Sequence, residues 1–287
     1  MFDKKSILDF ECVKELLSLS TLIYDFGVNL ILSKDTSNNL NFSTIDISNL
    51  KINNLQKKQL NEIIKESPKA ELYKFYDLKS GNQVGITISH IKKRIVFIFR
   101  GSNEINDWLH NFLLCKREIK KNCYVHLGFY KFLISNNLLN NLIIDLKYLI
   151  EKYDYDIHIT GHSLGGGLST LFGYLICDII DKNITITTFA SPRVGNYDWA
   201  QDFNNKSNLR LYRIVNNRDI VTAVPYSFFY HVGNYIFIDK NKMIYEKYNT
   251  FYDKNNIIYS FNPFDHNIEQ YYDNLLKCKW CKISEIL

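Results

Sequence analysis

The stretch Thr160-Gly161-His162-Ser163-Leu164-Gly165-Gly166 constrains the fold of this chain more than any other. It contains the pattern G-x-S-x-G, and its setting matters more than its letters. Residues 156–160 before it read as a short strand, and residues 164–180 after it read as a helix that starts on small side chains. A strand that turns directly into a helix brings the two backbones close to collision, and glycine is what fits there. Gly161 and Gly165 therefore frame the turn, and His162 supports it. The turn lifts the Ser163 hydroxyl off the end of the strand. The first N–H groups of the helix have no partner inside it and point at the same place.

The rest of the chain supplies strands and helices to surround such a turn. Apolar side chains at 8, 12, 16, 19, 23 and 26 predict an amphipathic helix over 7–28. Residues 33–54 are polar and rich in Asn and Ser, hence a loop or cap, and a helix over 55–66 stops before Pro68. Strand-like runs follow at 72–78, 84–90 and 94–100. The unbroken apolar run from Ile95 to Phe99 suits a strand covered on both faces. A long helical pattern spans 129–150. Further buried strands are read at 184–189 and 209–215, a hairpin at 235–238 and 243–248, and a last helix at 266–277. Strands alternate with helices and no linker interrupts them. The expectation is one α/β domain over 1–287 with a mostly parallel sheet, and an N-terminal helical region, 1–66, packed on the core.

Composition narrows the function classes. The chain has 287 residues, 46% of them hydrophobic, with 20 Tyr and 19 Phe, so a full core is available and a disordered chain is excluded. Its 35 basic and 30 acidic residues leave +5, without a Lys/Arg block, which argues against a nucleic-acid partner. Weak attraction to an anionic membrane surface fits that balance. Charges at Asp3, Lys4, Lys5, Asp9 and Glu11, with no apolar run and cleavage site behind them, predict a chain without a secretory signal that works inside the cell. No apolar stretch reaches the roughly 18 residues of a membrane span. The six cysteines read as free thiols. Cys278-Lys-Trp-Cys281 has redox or metal spacing but no second pair, so neither a metal nor a cofactor is expected.

A serine is a poor nucleophile alone. It needs a base within hydrogen-bond reach and a carboxylate that holds the base in the right tautomer. Where the nucleophile sits on a strand-to-helix turn, acid and base follow it in the chain. His90, His110, His126, His158 and His162 precede Ser163; His158 reads as packed within its strand. His231 and His266 remain, and the residues alone leave both open. His231 precedes Val232-Gly233 and a new strand, whereas Asp265-His266 opens the last helical segment. For the acid, Asp219 follows the strand 209–215 and is shielded by Ile220, Val221 and Val224. The alternative is a loop Asp that cages its own backbone. Asp198 and Asp202 are rival acids in a more polar stretch, and Asp265 suits a helix cap or a bond supporting the base.

Several blocks in order resemble one family. They are Phe99-Arg100-Gly101-Ser102, Asp107-Trp108, Val125-His126 with Gly128-Phe129, the turn at 160–166, and Phe189-Ala190-Ser191-Pro192-Arg193-Val194-Gly195-Asn196. Tyr212-Arg213, Asn216, Asp219-Ile220-Val221 and Pro225 follow, then His231-Val232-Gly233, and then Asp265-His266 with Tyr271 or Tyr272. Over 70–275 the chain resembles the fungal-type class 3 triacylglycerol lipases, which are α/β-hydrolases. The resemblance implies a catalytic triad of Ser163, Asp219 and His266. It implies an oxyanion hole from the backbone N–H groups of Leu164 and Ser102, helped by the Ser102 hydroxyl. It implies a short amphipathic lid at 103–114, with Trp108, Leu109, Phe112 and Leu113 on its apolar face. Arg100 and Arg193 would be buried structural residues with carboxylate partners. The substrate would be an acylglycerol at a lipid–water interface, with peripheral contact to membranes or droplets. Phospholipase A1 or general carboxylesterase activity would use the same triad, and a non-catalytic lipid-binding protein is the reading from another class. Three positions depart from the pattern: Gly167 where Ala is common, Ala190 where Gly is frequent, and Ala223 in a segment often closed by Pro.

Overall fold

A computed structural model describes residues 8–26, 39–78, 83–102, 115–247 and 262–280. Two helices open the described chain. α1 (Phe10–Leu22) is capped by Asp9, whose Oδ1 accepts from the Cys12 N–H at 2.6 Å. α2 (Asn54–Glu66) starts on a reciprocal capping box between Asn53 and Gln56. Between them lie the short strand β1 (Leu40–Asn41) and two 3₁₀ turns. The strands β2 (Ala70–Asp77), β3 (Gln83–Ser89) and β4 (Arg94–Phe99) then form an antiparallel meander.

β5 (Lys116–Lys120) and β6 (Cys123–His126) form a separate two-stranded ribbon. α3 (Leu127–Ile134) and α4 (Leu138–Lys152) come next. They lead to β7 (Asp156–His162), α5 (Leu164–Ile176), β8 (Ile184–Phe189), α6 (Tyr197–Asn204) and β9 (Leu209–Asn216). β10 (Asn234–Ile238) and β11 (Met243–Glu246) form the late hairpin, and α7 (Ile268–Lys277) ends the described chain.

The main sheet runs in the order β1-β2-β3-β4-β7-β8-β9-β10-β11. Its centre, β4-β7-β8-β9-β10, is parallel, and the antiparallel pairs flank it. Period-2 alternation divides each central strand between two cores. In β4, Phe97 and Phe99 face the core under α3, α4 and α5, while Val96 and Ile98 face the core under α1 and α7. Leu16, Leu17 and Leu22 of α1 are fully buried, each worth about 1.5–3 kcal/mol relative to exposure. α1 thus covers part of one face of the sheet. Among the described residues no helix is long and apolar enough to cross a membrane.

Three elements differ from the sequence expectation. The pattern at 129–150 is two helices, broken where Asn136 and Asn137 take positive φ of 48° and 59°. Asparagine tolerates that conformation better than most residues, so these two act as a hinge between helices. The ribbon β5–β6 was unread because Lys116–Lys120 is charged and largely exposed. α6 was unread as well; Asn196 caps it by accepting from the Trp199 N–H at 3.2 Å, and Trp199 is its buried anchor.

Candidate active site

The site is assembled at the carboxyl ends of the parallel strands, where open α/β sheets place their ligands. β7 enters α5 through Ser163, which holds φ 59° and ψ −126°. That conformation costs about 1–3 kcal/mol in a residue with a Cβ and persists only when the surroundings fix it. They do so here: the Ser163 N–H donates to Phe189 O of β8 at 2.9 Å, and its carbonyl accepts from the Gly166 N–H at 2.9 Å. The glycines leave room for the crossing. A Cβ on Gly165 would overlap the Phe99 carbonyl, and one on Gly161 would lie 2.5 Å from the Gly165 backbone. Gly167 is needed as well. A Cβ there would come within 2.9 Å of Phe129 Cζ and 3.2 Å of Pro192 Cγ, so this departure matches its neighbours.

Asp219 and His266 meet across the loops that follow β9 and precede α7. The His266 Nδ1–H donates to both Asp219 oxygens, at 2.9 and 3.0 Å. This fixes the tautomer and leaves the Nε2 lone pair for proton transfer. Asp219 is buried and fully engaged. Its Oδ1 accepts from the Val221 N–H at 2.9 Å and its Oδ2 from the Tyr271 hydroxyl at 2.6 Å. Burial, then the Asp219 charge, holds the Tyr271 hydroxyl well above its ordinary pKa, so it remains a donor.

The turn bearing His266 is stitched to the Asp219 loop. The Asn262 N–H donates to Arg218 O at 3.1 Å, the Arg218 N–H to Asp265 Oδ2 at 3.2 Å, and Asn216 Nδ2 to Asp265 O at 2.9 Å. Asp265 therefore supports the turn rather than the proton transfer. Ser163 Oγ and His266 Nε2 are both buried, and neither has a hydrogen bond among the described residues. In resting enzymes such bonds are commonly open and tighten with substrate.

His231, the other histidine left open by the sequence, goes elsewhere. Its Nε2–H donates to Thr222 O at 2.6 Å, so it braces the Asp219 loop. Arg193 Nη1 braces the same loop through the carbonyls of Ala223 and Pro225, at 2.6 and 3.0 Å. Arg100 Nη1 donates to the Gln83 side-chain amide oxygen, and its guanidinium lies over the Tyr24 ring. Asp202 bonds Lys120 and Tyr174, and Asp198 lies in the first turn of α6. His158 is half-buried in β7, and the desolvation of its ring pushes its pKa far down, as suits a packed imidazole.

Ser102 follows β4 and is half-buried, as is Leu164 at the first position of α5. Gly101 holds this loop against the elbow: a Cβ on it would lie 2.6 Å from His162 O and 3.4 Å from Ser163 Cβ. Sequence reasoning missed the strut beneath this loop, Tyr24. Its hydroxyl accepts from the Gly101 N–H, and burial pushes its pKa up to about 12. Nothing in its local spacing marks a tyrosine just past α1 as a neighbour of Gly101. The proposed lid, 103–114 with Trp108, Leu109, Phe112 and Leu113, lies outside the described residues, as does Cys281. Cys278 is buried, with its Sγ against Leu275 O. Among the described residues no cluster of three or more His, Cys, Asp or Glu could hold a metal.

A serine on a strained turn, a histidine pinned to a buried aspartate and a sheet of this order set the frame for comparison. The family model described as lipase (class 3) matches residues 96–229. By that match the chain is a relative of the class 3 lipases. That places it among the ester hydrolases. A putative lipase, LIH1, of Saccharomyces cerevisiae is 26% identical over 266 residues, covering 78% of this chain and 75% of the relative. Phospholipase A1-IIgamma of Arabidopsis thaliana is 29% identical over 188 residues, covering 54% of this chain and 44% of the relative. The chain thus spans less than half the length of that plant relative. The Rhizomucor miehei triacylglyceride lipase structure superposes with a TM-score of 0.71 at 19% identity, covering 92% of this chain and 95% of that one. This likeness speaks to the fold, which is the α/β-hydrolase fold. The class 3 lipase match includes Ser102, Ser163 and Asp219 but ends before His266 and α7.

Proposed function

We propose that this relative of the class 3 lipases hydrolyses acylglycerol esters through an acyl-enzyme on Ser163, with His266 as base and Asp219 as its orienting acid. His266 Nε2 takes the Ser163 Oγ proton as Oγ attacks the ester carbonyl. The N–H groups of Leu164 and Ser102 receive the developing oxyanion, with the Ser102 hydroxyl assisting. His266 then protonates the leaving alcohol, and water repeats the cycle on the acyl-enzyme. The observation that carries this reading is the bond of His266 Nδ1 to both oxygens of buried Asp219, beside a serine at positive φ at the head of α5. No step calls for a metal or cofactor.

A lipid surface is the proposed setting. Tyr226 and Phe228 on the loop after Asp219, and Phe264 two residues before His266, are exposed. Lys116 Nζ sits 4.2 Å from the Phe228 ring centroid, pairing a cation with an exposed aromatic as interfacial surfaces do. The described cysteines are free thiols, which supports a reducing, intracellular setting.

The test is a substrate panel on the purified chain and its Ser163→Ala variant: p-nitrophenyl esters of graded length, emulsified triacylglycerol, and phosphatidylcholine vesicles. Fatty acid release that depends on Ser163 and rises at an interface is the expected result. Release confined to the sn-1 chain of phosphatidylcholine would favour phospholipase A1, the activity named for the Arabidopsis relative. Folded protein with no Ser163-dependent release from any ester would overturn the proposal in favour of lipid binding. Vesicle flotation checks the surface reading, which fails if all protein stays at the bottom.

A further inference from the structure

His162 belongs to the elbow, yet the mechanism above gives it no part. It precedes Ser163 in the chain and is buried, only 4% exposed. Its side chain leaves the turn. Nε2–H donates to the main-chain carbonyl of His266 at 3.0 Å, across 104 residues of sequence. The two imidazoles pack with centroids 4.7 Å apart at 39°. The Tyr271 ring, whose hydroxyl holds Asp219, meets His162 edge-on at 5.7 Å and 81°. A carbonyl only accepts, so the proton sits on Nε2; Nδ1 is then a bare lone pair, buried without a partner among the described residues. Burial, then the nearby His266, pushes the His162 pKa far down. The ring is therefore neutral and adds no positive charge beside the base when the base becomes an imidazolium.

One ring thus touches the main chain of the base, the face of its imidazole and the tyrosine behind its acid, while its own backbone runs into the nucleophile. We infer that His162 is a positioning residue that holds the His266 imidazole in register with Ser163. The inference rests on the reading of His266 as the base. The two contacts are separable. Phenylalanine keeps a ring and loses the donor; glutamine keeps a donor and loses the ring; leucine loses both. A residue that merely filled the turn would lower melting temperature in any of these variants and leave the chemistry of the folded fraction unchanged.

The experiment uses the full chain as wild type, His162→Phe, His162→Gln and His162→Leu. Three readouts are taken: thermal melting, kcat and KM for p-nitrophenyl butyrate, and the far-downfield proton resonance of the His266–Asp219 bond in the resting protein. The expected result is a kcat loss of about 10²-fold in His162→Leu, a smaller loss in His162→Phe and His162→Gln, and KM within about twofold throughout. The downfield resonance should broaden in the same order. A folded His162→Phe or His162→Leu protein with wild-type kcat and an unaltered resonance would overturn the inference. So would a kcat loss that only follows the folded fraction. Should neither fold, His162→Gln decides: a folded protein with lowered kcat and a broadened resonance supports the clamp, and wild-type kcat with an unaltered resonance overturns it. Because the resonance needs no substrate, a wild type that hydrolysed nothing would sink the hydrolase reading while leaving this one decided separately.

Discussion

The two ends of the central sheet treat buried polar groups in opposite ways. At the amino end of β4, Arg94 Nη1 bonds Glu15 at 2.6 Å, and Lys92 Nζ bonds Glu15 and Glu66 at 3.1 and 3.2 Å. Lys14 closes the group on Glu66 and Glu11 at 3.2 and 2.7 Å. Glu15 is buried, and every charge around it is answered. At the carboxyl end, Ser163 Oγ, His266 Nε2 and His162 Nδ1 are buried without a hydrogen bond among the described residues. An unpaired buried polar atom costs about 1–3 kcal/mol, so a fold keeps several together only where something else is served. The amino end secures α1 to the sheet. The carboxyl end, on the mechanism proposed, holds groups ready for a substrate atom.

If that division holds, substitutions at the two ends should fail in different currencies. The largest effect belongs to Asp219→Asn. It disturbs the tautomer of His266 and should lower kcat by about 10⁴-fold, measured on a short p-nitrophenyl ester, while urea unfolding shows a folded protein. Next comes Glu15→Ala, which takes the carboxylate from Arg94 and leaves Lys92 with Glu66 alone. It should cost about 3–5 kcal/mol in urea unfolding and leave kcat per folded molecule unchanged; a kcat loss matching that of Asp219→Asn would erase the distinction.

A smaller effect is pH-linked. Lys14 and Lys92 hold the half-exposed Glu66 carboxyl below its usual range against the opposing effect of burial. The unfolded chain then binds more protons, so this contribution is present above the unfolded pKa and fades as pH falls through the folded one. After solvent screening it is worth at most about 1 kcal/mol. Melting followed down through about pH 4 should show Glu66→Gln losing stability less steeply than wild type. The smallest effect belongs to Ala190→Gly. Ala190 holds φ 55°, where a Cβ is strained, and glycine should add about 0.5 kcal/mol after its own entropy cost, read as a small rise in melting temperature.

Much of this division was legible in the sequence, for physical reasons that differ by residue. The elbow was readable because steric crowding at a strand-to-helix crossing demands glycine locally. Strand β4 was readable because burial on both faces demands an unbroken apolar run. The choice between His231 and His266 was not settled by local residues, since it depends on which carbonyl or carboxylate the fold brings to each ring; chain order left both, and the family resemblance pointed to His266. Tyr24 under Gly101, and His162 on the carbonyl of His266, are contacts between distant segments that no periodicity records. The ribbon β5–β6 escaped because its exposed Lys and Arg carry no alternation. Ala190 was legible as a departure, but its strain became visible only with its backbone angle.

The stitching of His266 to the Asp219 loop and to Tyr271 of α7 also sets an order of birth for the site. During synthesis the elbow can form once β7, α5 and β8 have emerged, so the serine exists early. Its base arrives on a turn 104 residues beyond His162, held by a helix made later still. With the roles proposed for Ser163 and His266, a nascent chain therefore carries a nucleophile with nothing to deprotonate it. On that reading, reactivity waits for α7 to dock, and the partly made chain is inert.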